Sequence, residues 1–124
     1  MQMKKILIVD DSATLRKDLK KLLNPIKSIE VIGEAIDAAS ALRQCNALKP
    51  DIMILDINLK NGSGIEVLEN MKKGPLSPIT IMFTNYSKGE FQKATKLLGA
   101  DYFFDKTNDI QKLIDTLTNL SSKK

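Results

Sequence analysis

Histidine is absent from this chain of 124 residues, and cysteine occurs once, as Cys45. The first absence excludes any Ser-His or Cys-His dyad, any histidine-ligated zinc and any phosphohistidine on this chain. A single cysteine permits no internal disulfide and no cysteine-built zinc or iron-sulfur centre. Cys45 reads most simply as a small buried apolar residue in a reducing cytosol. No apolar run approaches the roughly 20 residues of a transmembrane helix. Lys4-Lys5, four apolar residues and then Asp10-Asp11 are too short for a signal peptide, so the expected location is cytoplasmic. Any covalent phosphoryl chemistry here must therefore use a carboxylate.

What is present is an ordinary globular composition. Hydrophobic residues make up 43% and charged residues 27%, and the length suits one domain over residues 1–124 with a core from about 5 to 120. The formal net charge is +4. Arg16, Lys17, Lys20 and Lys21 are expected on the outer face of the first helix, and Lys123-Lys124 ends the sequence. Without a helix-turn-helix, a zinc motif or aromatic interleaving, these cations read as a solvated face, with neither nucleic acid nor membrane as partner.

The pattern alternates strands and helices. Ile6–Val9 and Ile52–Leu55 are unbroken apolar runs and Ile79–Phe83 is interrupted only by Thr80, which makes these the most uniformly apolar strands, the kind buried on both faces. Ile29, Val31 and Gly33 alternate with other residues, as a half-exposed edge strand does, and Tyr102-Phe103-Phe104 is an aromatic strand for the other edge. Ser12 and Asp37 are candidate N-caps for helices with inner stripes Leu15, Leu19, Leu22, Leu23 and Ala38, Ala41, Leu42, Cys45, Leu48. A third helix turns Ile65, Leu68 and Met71 inward after the turn Lys60–Gly64. Ser87–Glu90 has capping-box spacing before a helix carrying Phe91, Ala94 and Leu98 that ends at Gly99. The last helix carries Ile110, Leu113, Ile114, Leu117 and Leu120 after a cap near Asn108. Such alternation predicts an α/β fold: a doubly wound, five-stranded parallel sheet, with helices on both faces (flavodoxin-like). Right-handed crossovers give strand order 2-1-3-4-5, with the switch point between the first and third strands.

Ligands of open parallel sheets bind at the carboxyl ends of the strands. There the sequence sets Asp10-Asp11 after the first strand, Asp56 after the third, Thr84 at the end of the fourth and Lys106 just past the fifth. Singly, each has a plain explanation: a strand terminator, a helix-start charge, a turn residue, a cap, a solvated edge charge. Jointly they make a phosphoryl site. Three close carboxylates call for a divalent cation, and Mg²⁺ suits oxygen ligands while keeping waters for a phosphate. Asp56 can attack phosphorus, while Mg²⁺, Lys106 and the Thr84 hydroxyl hold the three equatorial oxygens.

This set, with Gly64 eight residues after Asp56, closely resembles the receiver domain of bacterial two-component response regulators (CheY-like), from Lys5 to about Leu120. The resemblance implies a stand-alone receiver that acts as a switch or passes its phosphoryl group on, and that turns over no separate substrate. Asp56 would be the phosphoacceptor. Asp11 would bind Mg²⁺ directly, Asp10 through water, and Asn58 through its backbone carbonyl, with Mn²⁺ as an acceptable substitute. Thr84 and Phe103 fall at paired switch positions, and Asn58, Asn85 and Tyr86 at rate-modulating ones. The implied partners are a histidine kinase or histidine phosphotransfer protein, and a downstream target or second copy at the face made by the fourth helix, fifth strand and fifth helix.

Departures from the family pattern are Leu59-Lys60 in place of Met-Pro, Asn85 in place of a small residue, and Thr107 in place of Pro. A cis bond before Thr costs roughly 2.5–4 kcal/mol against about 0.5–1 before Pro. The Lys106-Thr107 bond is therefore expected to be trans, in a shifted loop. Three other readings remain. A Mg²⁺-dependent phosphohydrolase of the haloacid dehalogenase type needs an Asp where Asn58 stands and cap insertions for which there is no room. A receiver-like module that is never phosphorylated leaves the acidic set unexplained. A flavodoxin-like cofactor carrier would have Asp10-Asp11 repelling the FMN phosphate.

Overall fold

The computed structural model describes residues 3–71, 73–75, 77–86 and 89–122. The elements run β1 (Lys4–Val9), α1 (Ala13–Leu23), β2 (Ile29–Ala35), α2 (Ala38–Leu48), β3 (Ile52–Leu55), α3 (Gly64–Met71), β4 (Ile79–Thr84), α4 (Gly89–Leu97), β5 (Tyr102–Asp105) and α5 (Ile110–Ser121). All strand pairs are parallel, in the expected order β2-β1-β3-β4-β5.

The apolar runs divide between two cores by the two-residue period of a strand. Leu7, Val9, Met53, Leu55 and Met82 face one way, under α2 and α3. Ile6, Ile8, Ile52, Ile54, Ile81 and Phe83 face the other, against Leu19 and Leu23 of α1 and Leu113, Leu117 and Leu120 of α5. Burying one such side chain contributes about 1.5–3 kcal/mol, so this double coverage holds β1, β3 and β4 at the centre. Between Ile6 and Leu7 the pairing of β1 with β2 shifts register, an irregularity confined to the edge side of the sheet.

Local signals fix the helix ends. Ser12 Oγ accepts from the Leu15 amide at 3.2 Å, and Asp37 Oδ1 from the Ser40 amide at 2.8 Å, as expected of N-caps. Gly99, at φ +101°, follows α4 in a left-handed conformation that side chains avoid. The N-cap of α5 is Asp109, next to Asn108, whose side-chain amide donates to Asp105 Oδ2 at 2.8 Å. Ser87 and Lys88 of the expected capping box lie outside the described residues. Two stripe positions, Leu22 and Leu48, remain partly exposed at the margins of their stripes, because the sheet covers a narrower arc of each helix than the apolar residues span. Val67, buried on α3, was absent from the expected stripe. Among the described residues no helix is long and apolar enough to cross a membrane.

Candidate metal and phosphoryl site

The carboxyl ends of β1, β3, β4 and β5 bring the expected residues together. The Asp10 amide donates to Ala35 O and the Asp56 amide to Val9 O, each at 3.0 Å, so both carboxylates leave the sheet in strand register. Asp10 and Asp56 are buried, Asp11 is exposed, and one carboxylate oxygen from each lies within 4.8 Å of the others. The Lys106 ammonium bridges Asp10 Oδ2 and Asp56 Oδ2 at 2.7 Å each. Burial pushes the Asp10 carboxyl above its ordinary value of 3.8, and Lys106 and the Ser12 amide, 2.9 Å from Oδ1, offset that only in part. For Lys106, burial acts to discharge the ammonium, but the two carboxylates prevail and raise its pKa, so it stays a cation.

Oxygen donors of this kind suit a hard divalent ion. Opposite ligands of Mg²⁺ stand about 4.2 Å apart, twice its roughly 2.1 Å bond length. One oxygen from each of the three carboxylates lies within 4.8 Å of the others, slightly wider than that, so the donor chemistry fits and a small inward shift would close the set on an ion.

Thr84 is fully buried, and its Oγ accepts from the Tyr86 amide at 3.1 Å, which leaves the hydroxyl proton available to donate. The Asn58 amide reaches Asp56 Oδ1 at 3.4 Å, and Asn58 pairs with Ser63 in an isolated bridge. Asn58 cannot ionise, so the general acid of a haloacid dehalogenase is missing at this position. Gly64 opens α3 because its backbone runs against that of Asp56: a Cβ there would collide with the Asp56 carbonyl oxygen and lie 3.0 Å from its carbon. Its amide donates to Ile57 O at 2.8 Å, closing the turn that follows Asp56.

Phe103 is half-buried on the β5 face that packs toward Phe91 and Leu98, while Tyr102 and Phe104 stack on each other at 6.0 Å on the opposite face. Tyr86 is exposed and tilts against Phe91, ring centroids 5.5 Å apart. Asn85 is exposed and its Oδ1 lies 3.5 Å from Thr107 Oγ1. No cis peptide bond occurs among the described residues, so Lys106-Thr107 is trans as expected. The loop is fastened without proline: the Thr107 amide donates to Asp105 Oδ1 at 3.0 Å, and the Asp105 amide to Asp109 Oδ2 at 2.9 Å. The Lys106 amide donates to Thr84 O at 3.1 Å, which carries the side chain inward.

A further expectation fails. Arg16 does not lie on the solvated face of α1; its side chain is only 16% exposed. Nη1 donates to Asp10 O at 2.7 Å and Nε to Glu34 Oε1 at 2.9 Å, while Lys20 holds Glu34 Oε2 at 2.7 Å. The signal available was the helical spacing of Arg16 with the buried Leu19 and Leu23, three and seven residues on.

A family model described as the response regulator receiver domain matches residues 6–118. The sensory transduction protein LytT of Bacillus anthracis is 35% identical over 122 residues, covering 98% of this chain and 49% of its own length. The response regulator domain of Thermotoga maritima CheB has a TM-score of 0.84 at 28% identity, over 97% of this chain and 94% of that one. A chain of the CheX-CheY-BeF3-Mg²⁺ complex from Borrelia burgdorferi has a TM-score of 0.83 at 27% identity, covering 96% and 90%. This chain spans from 32% to 49% of the length of the first curated relatives it matches.

Proposed function

The chain belongs to the response regulator receiver domain family, and from that membership we propose how its residues divide the work of accepting a phosphoryl group. Residues 1–124 act as one receiver unit, and Asp56 is the phosphoacceptor. A carboxylate oxygen of Asp56 forms the new bond to phosphorus as the bond to the donor's nitrogen or oxygen breaks, and the leaving group departs with that electron pair and takes up a proton.

The observation that carries this reading is the Lys106 ammonium held between Asp10 and Asp56 at 2.7 Å. It balances the charge of both carboxylates and is already in place to bind a phosphoryl oxygen. Thr84 donates its hydroxyl to a second oxygen. Asp11 and Asp56 would hold Mg²⁺ directly, with Asp10 acting through water and the Asn58 carbonyl as the further protein ligand. The ion, when bound, supplies charge neutralisation at the transferring group, and Mn²⁺ takes the same donors. Asn58, Asn85 and Tyr86 border the site and modulate rates. No separate substrate is turned over.

The donor is a histidine kinase or histidine phosphotransfer protein in the cytoplasm. Output runs from Thr84 through Phe103 to the surface of α4, β5 and α5, read by a target protein or a second copy. The light seating of α4, whose one buried residue is Thr95, supports that route. Intact-mass measurement after acetyl phosphate and Mg²⁺ should find one added phosphoryl group, absent in Asp56→Asn. Undiminished labelling of that variant would sink the assignment.

A further inference from the structure

The first helix opens two residues past a pair of carboxylates that repel each other and Asp56, so something must hold that turn in shape. Asp10 is restrained through its amide by Ala35 O and through Oδ1 by the Ser12 amide. Its carbonyl oxygen accepts from Arg16 Nη1 at 2.7 Å. The guanidinium does not swing freely, because its Nε is engaged by Glu34 Oε1 on β2, and Glu34 is steadied in turn by Lys20. Arg16 thus spans from the edge strand to the backbone of a metal-site residue. It touches that backbone and leaves the Asp10 carboxylate to Lys106 and Ser12.

We infer that Arg16 is a positioning residue for the metal: clamped by Glu34, it fixes the Asp10 carbonyl and so presents Asp10 and Asp11 to a divalent cation in one geometry. This rests on the metal assignment made above. The planar guanidinium suits the task because its Nε and Nη1 donate in fixed directions to two acceptors at once, which a lysine ammonium on a flexible stem does not reproduce. Groups that orient metal ligands without touching the metal typically matter by roughly 10–100-fold in affinity.

The charge of Arg16 makes the test decisive. Removing a cation from beside three carboxylates would, through electrostatics alone, tighten binding of a divalent ion. Removing the clamp loosens it. The two effects have opposite signs.

The experiment is Mg²⁺ titration of the unphosphorylated full chain by calorimetry, with circular dichroism and a melting curve for each variant. Arg16→Met is expected to weaken Mg²⁺ roughly tenfold, and Arg16→Lys, which keeps the charge, nearly as much. Glu34→Gln, a milder change should Arg16→Met fail to fold, is expected to weaken Mg²⁺ about threefold. In a double-mutant cycle Arg16→Met and Glu34→Gln should be non-additive, as two halves of one clamp are. Acetyl phosphate labelling of Arg16→Met should recover at saturating Mg²⁺, a split that a general loss of stability would not produce. Wild-type or tighter Mg²⁺ affinity in folded Arg16→Met and Arg16→Lys overturns the inference. Asp11→Asn serves as the reference: if it too binds Mg²⁺ like wild type, the metal assignment itself has failed.

Discussion

Substituting Gly64 by Ala adds one methyl group against the backbone of Asp56. The Gly64 backbone has dihedrals that any residue adopts, so the objection is one of space: the Cβ would collide with Asp56 O, and it would lie 3.0 Å from Asp56 C and 3.1 Å from Leu55 Cγ. Neither obstacle is the free end of a flexible chain, so β3 or the start of α3 must move. Forced overpacking of this kind costs about 1–3 kcal/mol. The better helix propensity of Ala recovers at most about 1 kcal/mol. A net loss of about 1–2 kcal/mol corresponds, for a domain of this size, to a fall in Tm of roughly 4–8 °C. The displacement falls on Asp56, whose contacts with Lys106 at 2.7 Å and the Asn58 amide at 3.4 Å depend on its position. Misplacement by 1 Å can cost on the order of 10²-fold in rate, so a smaller shift should slow labelling by acetyl phosphate roughly tenfold. Gly89→Ala is the control, since a Cβ there meets nothing within 4 Å. It should leave labelling unchanged and stability equal or slightly higher. Thermal melts and initial labelling rates of both variants check this. A Gly64→Ala protein that melts and labels like wild type would refute the steric argument.

Two further outcomes are expected. Glu34 is held below its ordinary value of 4.5, chiefly by the hydrogen bond from Lys20 with Arg16 adding to it against some burial. A depressed folded-state value means that the stabilisation is present above about pH 4.5 and lost as pH falls through the depressed folded value, so wild type and Glu34→Gln should differ by about 0.5–1 kcal/mol at pH 7 in urea melts and the difference should shrink as the pH is lowered below 4.5; a constant difference would contradict the linkage. With Mg²⁺ and beryllofluoride, amide chemical shifts should change from Asp56 through Thr84 and Phe103 into α4, whereas changes confined to the pocket would favour a phosphoryl carrier over a conformational switch.

The sheet order and the meeting of Asp10, Asp11, Asp56, Thr84 and Lys106 were legible because each depends on a local signal. Nearly unbroken apolar runs mark the central strands, Ser12 and Asp37 announce helix starts, and the polar residues stand where those strands end. What stayed hidden depends on pairs far apart in sequence. Arg16 and Glu34 are 18 residues apart on different elements, and a basic residue among three lysines reads as solvated unless its partner is known. Leu22 and Leu48 were misjudged because periodicity gives the centre of a helical stripe more reliably than its width. The loop after Lys106 was legible only in part. The trans bond followed from Thr107, but its fastening by Asp105 and Asp109 is a tertiary arrangement that spacing does not reveal.

The seating of α4 has a consequence for how motion is distributed through the domain. Thr95 is its one buried residue, and the Thr95 hydroxyl donates back into its own helix, to Phe91 O at 2.9 Å and Gln92 O at 3.2 Å. It therefore ties nothing to the sheet. Phe91, Ala94 and Leu98 rest half-buried on the core, whereas α5 sinks Leu113, Leu117 and Leu120 into it. With so little area to release, α4 can lift while the five strands stay paired. Its amides should exchange with solvent through local opening, and those of β1 and β3 only through global unfolding. The domain is graded from a rigid platform to a loosely fastened cover, and a signal that acts through α4 would need to supply only a small free energy to move it.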